Sequence, residues 1–445
     1  MKTFHCVVTI LAFTILVGCD TSNQQQVSGP APMDSLAMFR EVMKPAENCK
    51  PCHPTHYQEW QSSMHAYAFV DPVFFRLNDI GQQRSSNQLD QFCVKCHSPF
   101  ATFLQEAPPG FDPANLSDLA ARGVQCDVCH TIKSFQAGKS VETFHLDGVR
   151  RGPLSDPKAN AFHESAFDQR YTSTEICTPC HNVIAPNGLM VESTAEEWNQ
   201  SPYLAMGLEC QGCHMPTYSG EAAVGGPMRD NLHRHTFVGV DYPLVDFPGK
   251  EQTIQAVREL LQKSLKMTVE APATANRSDS LTIQVTLLND QTGHDIPSGT
   301  IFERQMWVEI TVTDQATGQV VYQSGLLDPN GDLLNHHSEY VANGSLPEDS
   351  TLALFHGTPF TAGSETLFFW EADAVEKKTI PPFDSRTVTY RIAPPLPQGP
   401  LTVNVRLRFR SFPPYLLRAI GMESLIDKLI IFDMAEFQQT IQING

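Results

Sequence analysis

The 445 residues are enough for two or three domains, and 41% hydrophobic with 18% charged residues describes a folded chain with a sizeable core. A formal net charge of −18 excludes the basic surface that nucleic acid selects. It suits a carrier that meets its partners through charged patches.

At the N-terminus Lys2 precedes an apolar run, Val7 to Val17, that ends in Leu16-Val17-Gly18-Cys19. The run is too short to span a bilayer comfortably and has the shape of an export signal. Its last four residues resemble a bacterial lipobox. That implies lipidation of Cys19 and anchoring to a bacterial membrane, in the periplasm or at the cell surface. An ordinary cleaved signal with a chance cysteine is the alternative. Residues 20–47, with Gln24-Gln25-Gln26 and Pro30-Ala31-Pro32, read as a flexible tether.

Ten of the remaining cysteines then form five pairs, each followed by histidine: Cys49-Cys52-His53, Cys93-Cys96-His97, Cys126-Cys129-His130, Cys177-Cys180-His181 and Cys210-Cys213-His214. C-x-x-C-H is the attachment signature of c-type haem. Thiols three residues apart fall on one side of a helical turn, where both can add to the vinyl groups of one porphyrin. The following imidazole then reaches the iron. Zinc would need two pairs per ion and would leave one pair over; thioredoxin-like redox pairs would not require the histidine. The five motifs occupy residues 49–214, about 33 residues each, too few to wrap separated cofactors in conventional cores. Five covalent haems would therefore pack against one another and make up much of the core.

The second axial position of each iron decides between a closed electron carrier and an open substrate site. Six further histidines lie in this half: His56, His65, His145, His163, His233 and His235. His65 closes a helix-like stretch, Tyr57 to Phe69, in which Trp60 and Met64 share a face. His145, His163, His233 and His235 are the other distal candidates. His233 and His235 would lie on one side of an extended segment, which two haems cannot easily share, so one of them reads as a spectator. His56 is too close to His53 to be favoured. Met64, Met190, Met206 and Met215 read as packing rather than ligands.

"CKPCHPTHYQEWQSSMHAYAF", "GVQCDVCH", "STEICTPCHN", "SPYLAMGLECQGCHMP" and "HRHTFVG" together resemble multihaem c-type cytochromes related to the tetrahaem cytochrome that partners hydroxylamine oxidoreductase. The resemblance covers roughly residues 48–240. It implies helical, loop-rich packing, haems in stacked and perpendicular pairs, and distal roles for His65 and His235. A fifth motif departs from the tetrahaem pattern, so its ligand scheme does not transfer whole. Pentahaem nitrite reductases differ in having lysine at the catalytic motif, where all five motifs here end in histidine.

Beyond residue 250 the periodicity changes. Ile254, Val257, Leu260, Leu261 and Leu265 recur at helical spacing and predict a linker helix over 251–267. Alternating segments follow: Leu281 to Leu287, Val308 to Val312, Val388 to Ile392 and Leu401 to Arg410. They predict a β-sandwich over 268–445 with a short helix within Tyr415 to Ile430. In the last strand Leu401, Val403, Val405, Leu407 and Phe409 face in, and Arg406, Arg408 and Arg410 face out as a solvated stripe, pairing with haem propionates or an acidic partner being the alternative. His294, in the turn-rich loop "NDQTGHDIPSG", could reach a haem across an interface; a local hydrogen bond is the simpler reading. His336, His337 and His356 read as surface residues.

The fold class expected is thus multidomain α+β: a multihaem cytochrome domain over 48–250, then the β-sandwich. The function expected is electron transfer between other redox proteins. The β-domain would serve for docking or assembly. The alternatives are a reductase of a small nitrogen or sulfur species at one five-coordinate haem, and a structural subunit of a cell-surface conduit.

Overall fold

The computed structural model describes residues 33–136 and 143–445. The export signal and Cys19 lie outside the described residues. Where the tether was expected, a helix spans Met33–Val42. Phe39, fully buried, meets the rings of Phe100, Phe103 and Phe144 at 4.4–5.8 Å, so this segment belongs to the folded body.

Through residue 249 the chain is mostly short helices and turns, with three two-stranded ladders. Each Cys-x-x-Cys-His run makes one helical turn. The amides of His53, His97 and His181 bond the carbonyls of Cys49, Cys93 and Cys177, four residues back. Cys126–Thr131 and Cys210–His214 are helices outright. The stretch expected as one helix over 57–69 is two, Pro54–Gln61 and Met64–Tyr67. Ser63 breaks it: its hydroxyl accepts from the Ala66 amide as an N-cap.

The helix Lys250–Ser264 buries Ile254, Val257 and Leu261. After it the chain is β-rich. One sheet runs Val320–Ser324, Gln305–Asp314, Leu401–Arg410, Phe432–Asn444, Thr274–Asn276, with Ala353–Phe355 also paired to Gln305–Asp314. A second places Leu281–Leu288 between Ser385–Ile392 and Lys266–Glu270. Leu401, Val403, Val405, Leu407 and Phe409 lie in one core with Leu281, Ile283, Val285 and Leu287 from the other sheet. The same core takes in Val73, Ile80, Tyr242 and Leu244 from the first half, so the two halves share an apolar interior.

The other face of the large sheet is not a solvated stripe. Arg406 stands opposite Glu309 and pairs with it; Arg408 reaches Glu309 at 2.6 Å and Asp433 at 2.9 Å. Arg410 is buried, bonded to Gln305 Oε1 at 2.7 Å and to the Gly331 carbonyl at 2.5 Å. The cause is a covering layer over this face: Trp307, fully buried, donates from Nε1 to the Gly325 carbonyl. The C-terminal helix is shorter than expected, Pro414–Ala419, followed by a 3₁₀ segment, Glu423–Lys428. No described helix is long and apolar enough to cross a membrane.

Candidate haem-binding cavity

A cavity of about 1970 Å³ runs through the first half and is closed on one side by the β-rich half. A pocket for one small molecule is about 300–1,000 Å³, so this space suits several large groups. All ten motif cysteines and all five motif histidines line it. No disulfide consumes the thiols. Thiols of different motifs are near neighbours: Cys49 of Cys126, Cys96 of Cys180, and Cys177 of Cys210. Cys129 is close enough to Cys177 and Cys180 for their charges to interact. The five motifs therefore form one connected cluster.

Every motif histidine has its Nδ1 tied to an acceptor. His53 meets the Ala222 carbonyl at 2.7 Å, His97 that of Ala68 at 3.0 Å, His130 that of Arg151 at 2.6 Å and His214 that of Val238 at 2.6 Å. His181 instead meets a carboxylate, Glu192 Oε1, at 2.9 Å. An Nδ1–H held this way fixes ring orientation and leaves Nε2 as the metal-facing atom. Burial pushes His214 down to about 4, despite its bond to Val238, so its imidazole stays neutral, the form that ligates. Burial also pulls on His181, but the Glu192 carboxylate and the Cys96 and Cys210 thiols outweigh it and push it up to about 9.

Two imidazoles bound through Nε2 to opposite faces of one metal, at bonds of about 2 Å, have ring centres about 6.3 Å apart. Four motif histidines face a partner at this spacing. His53 faces His163 at 6.3 Å, His65 faces His181 at 6.4 Å, His130 faces His235 at 6.5 Å and His214 faces His294 at 6.3 Å. His163, His235 and His294 also have Nδ1 bonded to backbone oxygen, at 3.0, 3.0 and 2.7 Å. Desolvation, with help from His181, pushes the half-buried His65 down to about 3. Its backbone carbonyl takes the Val124 amide at 2.9 Å, across from Gly123 at φ +64, where a Cβ would sit 2.5 Å from that oxygen.

The remaining histidines sort by contact. His145 does not line the cavity; its amide bonds the Thr131 carbonyl at 2.8 Å, next to the buried Phe144. His233 lines it, with Nδ1 on the Met215 carbonyl at 2.6 Å, but its ring faces no motif histidine among the described residues. His56 lies 6.3 Å from His53 but gives its Nε2 to the Tyr218 hydroxyl at 3.1 Å. His294 was read as a loop histidine with a local bond. It makes that bond, to Asp295, and also faces His214, because the loop 291–300 folds onto the cavity. Gly293 makes the approach possible, since a Cβ there would lie 2.6 Å from Trp198 Cδ1. Glu197, on the helix Thr194–Asn199, holds the loop by accepting from Ser298 at 2.6 Å. His97 alone among the motif histidines faces no imidazole among the described residues. The Phe74 ring stacks on it at 4.0 Å.

The donor set thus fits c-type haem: paired thiols, an adjacent tethered imidazole, an apolar cavity, and opposed imidazoles at four positions.

A family model described as cytochrome c554 and c-prime matches residues 48–131. The penta-heme cytochrome c552 from Thermochromatium tepidum is similar in structure, with TM-score 0.64 at 17% identity, over 89% of this chain and 99% of that one. A CARDB domain from Pyrococcus furiosus aligns over 40% of this chain and 87% of its own at 8% identity, but with TM-score 0.17 it carries no argument. No curated protein matches. The chain thus shares the fold of that penta-heme cytochrome, and its residues 48–131 match the cytochrome c554 and c-prime model.

Proposed function

We propose that the chain is an exported, lipid-anchored pentahaem electron-transfer protein. The observation that carries this reading is the single cavity on which all ten thiols meet four opposed imidazole pairs. Haem bound at each motif would supply one-electron redox chemistry at iron. The thiols of each pair would hold it, with His53, His97, His130, His181 and His214 as proximal ligands. His163, His235, His65 and His294 would close the positions opposite His53, His130, His181 and His214. The chain's own work is to fix these rings through Nδ1, to keep water out, and to hold neighbouring motifs in contact so that their cofactors stand close together. The β-rich half, read as a two-sheet sandwich, both donates His294 and offers a surface for docking or assembly. Donor and acceptor are other redox proteins in a respiratory or extracellular chain, met at a bacterial membrane. The kinship to the tetrahaem partner of hydroxylamine oxidoreductase belongs to this reading.

The test is a haem count by the pyridine haemochrome assay together with low-temperature EPR of the oxidised protein. Five haems, at least four of them low-spin, are expected. A count below five, or two or more high-spin irons, overturns the assignment.

His97 favours a second reading, in which its iron is open and reduces a small nitrogen or sulfur species. One high-spin iron per chain that binds carbon monoxide on reduction, with turnover of nitrite or hydroxylamine above a free-haem control, supports it. Five low-spin irons remove it.

A further inference from the structure

Away from the haem cavity, a second cluster of donor atoms sits in the layer that covers the large sheet. His336 Nε2 lies 2.9 Å from Glu365 Oε2, and His337 Nε2 lies 2.9 Å from Glu365 Oε1. One ligand atom from each of the three residues falls within 4.8 Å of the others. We propose that His336, His337 and Glu365 bind one divalent transition-metal ion of the zinc class.

Two imidazoles and a carboxylate are a zinc donor set with one position left for water. The nitrogens disfavour calcium and magnesium, which take oxygen. The site is built on its inner side and open on its outer side. His337 is 13% exposed and lies flat on the Tyr415 ring, 3.9 Å away at 13°. Its backbone is fixed as well, since its amide donates to Asn335 Oδ1 at 3.0 Å. His336 is 61% exposed, which provides the entry path. The His337 nitrogen is buried without an aligned hydrogen bond, although the carboxylate oxygen is only 2.9 Å off. His336 Nε2 is hydrogen-bonded to Glu365 Oε2, whereas His337 Nε2 is left unpaired beside Oε1, so a bound ion would replace the first contact and satisfy the second nitrogen. Bonds of about 2.0–2.2 Å to two atoms at that separation subtend roughly 90°. A third imidazole, His356, is near enough to interact with both histidines, and its Nδ1 is buried without a partner.

The ion would join three separated segments. His336 and His337 come from the loop after Asp332, Glu365 from the short strand Ser364–Glu365, and Tyr415, under His337, from the helix Pro414–Ala419. The expected role is a clip that holds the covering layer on the sheet. None of the three ligands lines the haem cavity, so this proposal stands apart from the haem reading.

The experiment uses the haem-loaded full chain. It is stripped with a chelator, titrated with zinc ion by calorimetry, and assayed for zinc by mass spectrometry. One zinc per chain is expected in the wild type. Glu365→Gln and His337→Ala should each weaken binding at least tenfold while the haem spectrum stays unchanged. Glu365→Gln keeps the side-chain volume, so it decides the matter should His337→Ala misfold. Zinc binding by Glu365→Gln at wild-type affinity, or no stoichiometric zinc in the wild type, overturns the site and leaves an imidazole–carboxylate hydrogen-bonded cluster.

Discussion

Glu192 sets one motif histidine apart from the other four. A carboxylate on Nδ1 of His181 makes the opposite nitrogen a stronger donor than a backbone carbonyl does. More electron density at the iron favours its oxidised form. Glu192→Gln should therefore raise the midpoint potential of one haem and leave the rest in place, as resolved by a spectroelectrochemical titration. His294→Ala should convert one low-spin iron to high-spin, read by EPR, without changing the haem count. At this scale the candidate attachment residues could be named from the sequence, because thiols spaced within one turn suit a single porphyrin. His65, His163 and His235 were legible as nearby spare imidazoles. His294 was not, since its approach to His214 is made by the packing of a separate half of the chain. His56 was disfavoured by its closeness to His53, and in the structure its Nε2 is engaged by the Tyr218 hydroxyl.

Among the elements, those with long periodic signals were read nearly to the residue. The helix Lys250–Ser264 and the strand Leu401–Arg410 each display a single apolar face. What alternation could not reveal is a second layer over the polar face, and for that reason Arg410 proved buried. Leu407, fully buried between the sheets, should cost about 2–5 kcal/mol when cut to alanine, measured by denaturant unfolding. Gly293→Ala should push the loop 291–300 away from Trp198. Its expected signature is the high-spin signal of His294→Ala, appearing with little loss of β-structure by circular dichroism.

For the molecule as a whole, the shared apolar interior ties the halves together. Under the proposed ligation, heating should melt the sheets and detach His294 from the iron at His214 in one transition, followed by far-ultraviolet and haem absorbance side by side. Asp71, half-buried where the halves meet, is pushed up to about 7 by desolvation, with the Asp241 and Glu303 charges adding to this against its bond from the Val73 amide. The fold therefore prefers it protonated. Its contribution is fully present below the ordinary carboxylate value near 3.8, declines as pH rises toward about 7, and is constant above that. Asp71→Asn should remove this decline, so the stability gap between variant and wild type should widen in the variant's favour from pH 4 to pH 7.

The place of His294 in the chain also bears on biogenesis. A ribosome working from the N-terminus delivers all five attachment motifs before it reaches that residue. Under the proposed ligation, cofactors could be joined covalently while the last iron still lacks its second imidazole. That coordination bond would close only when the C-terminal half has been translated, exported and folded. The spin state of a single iron would then report whether maturation had run to completion.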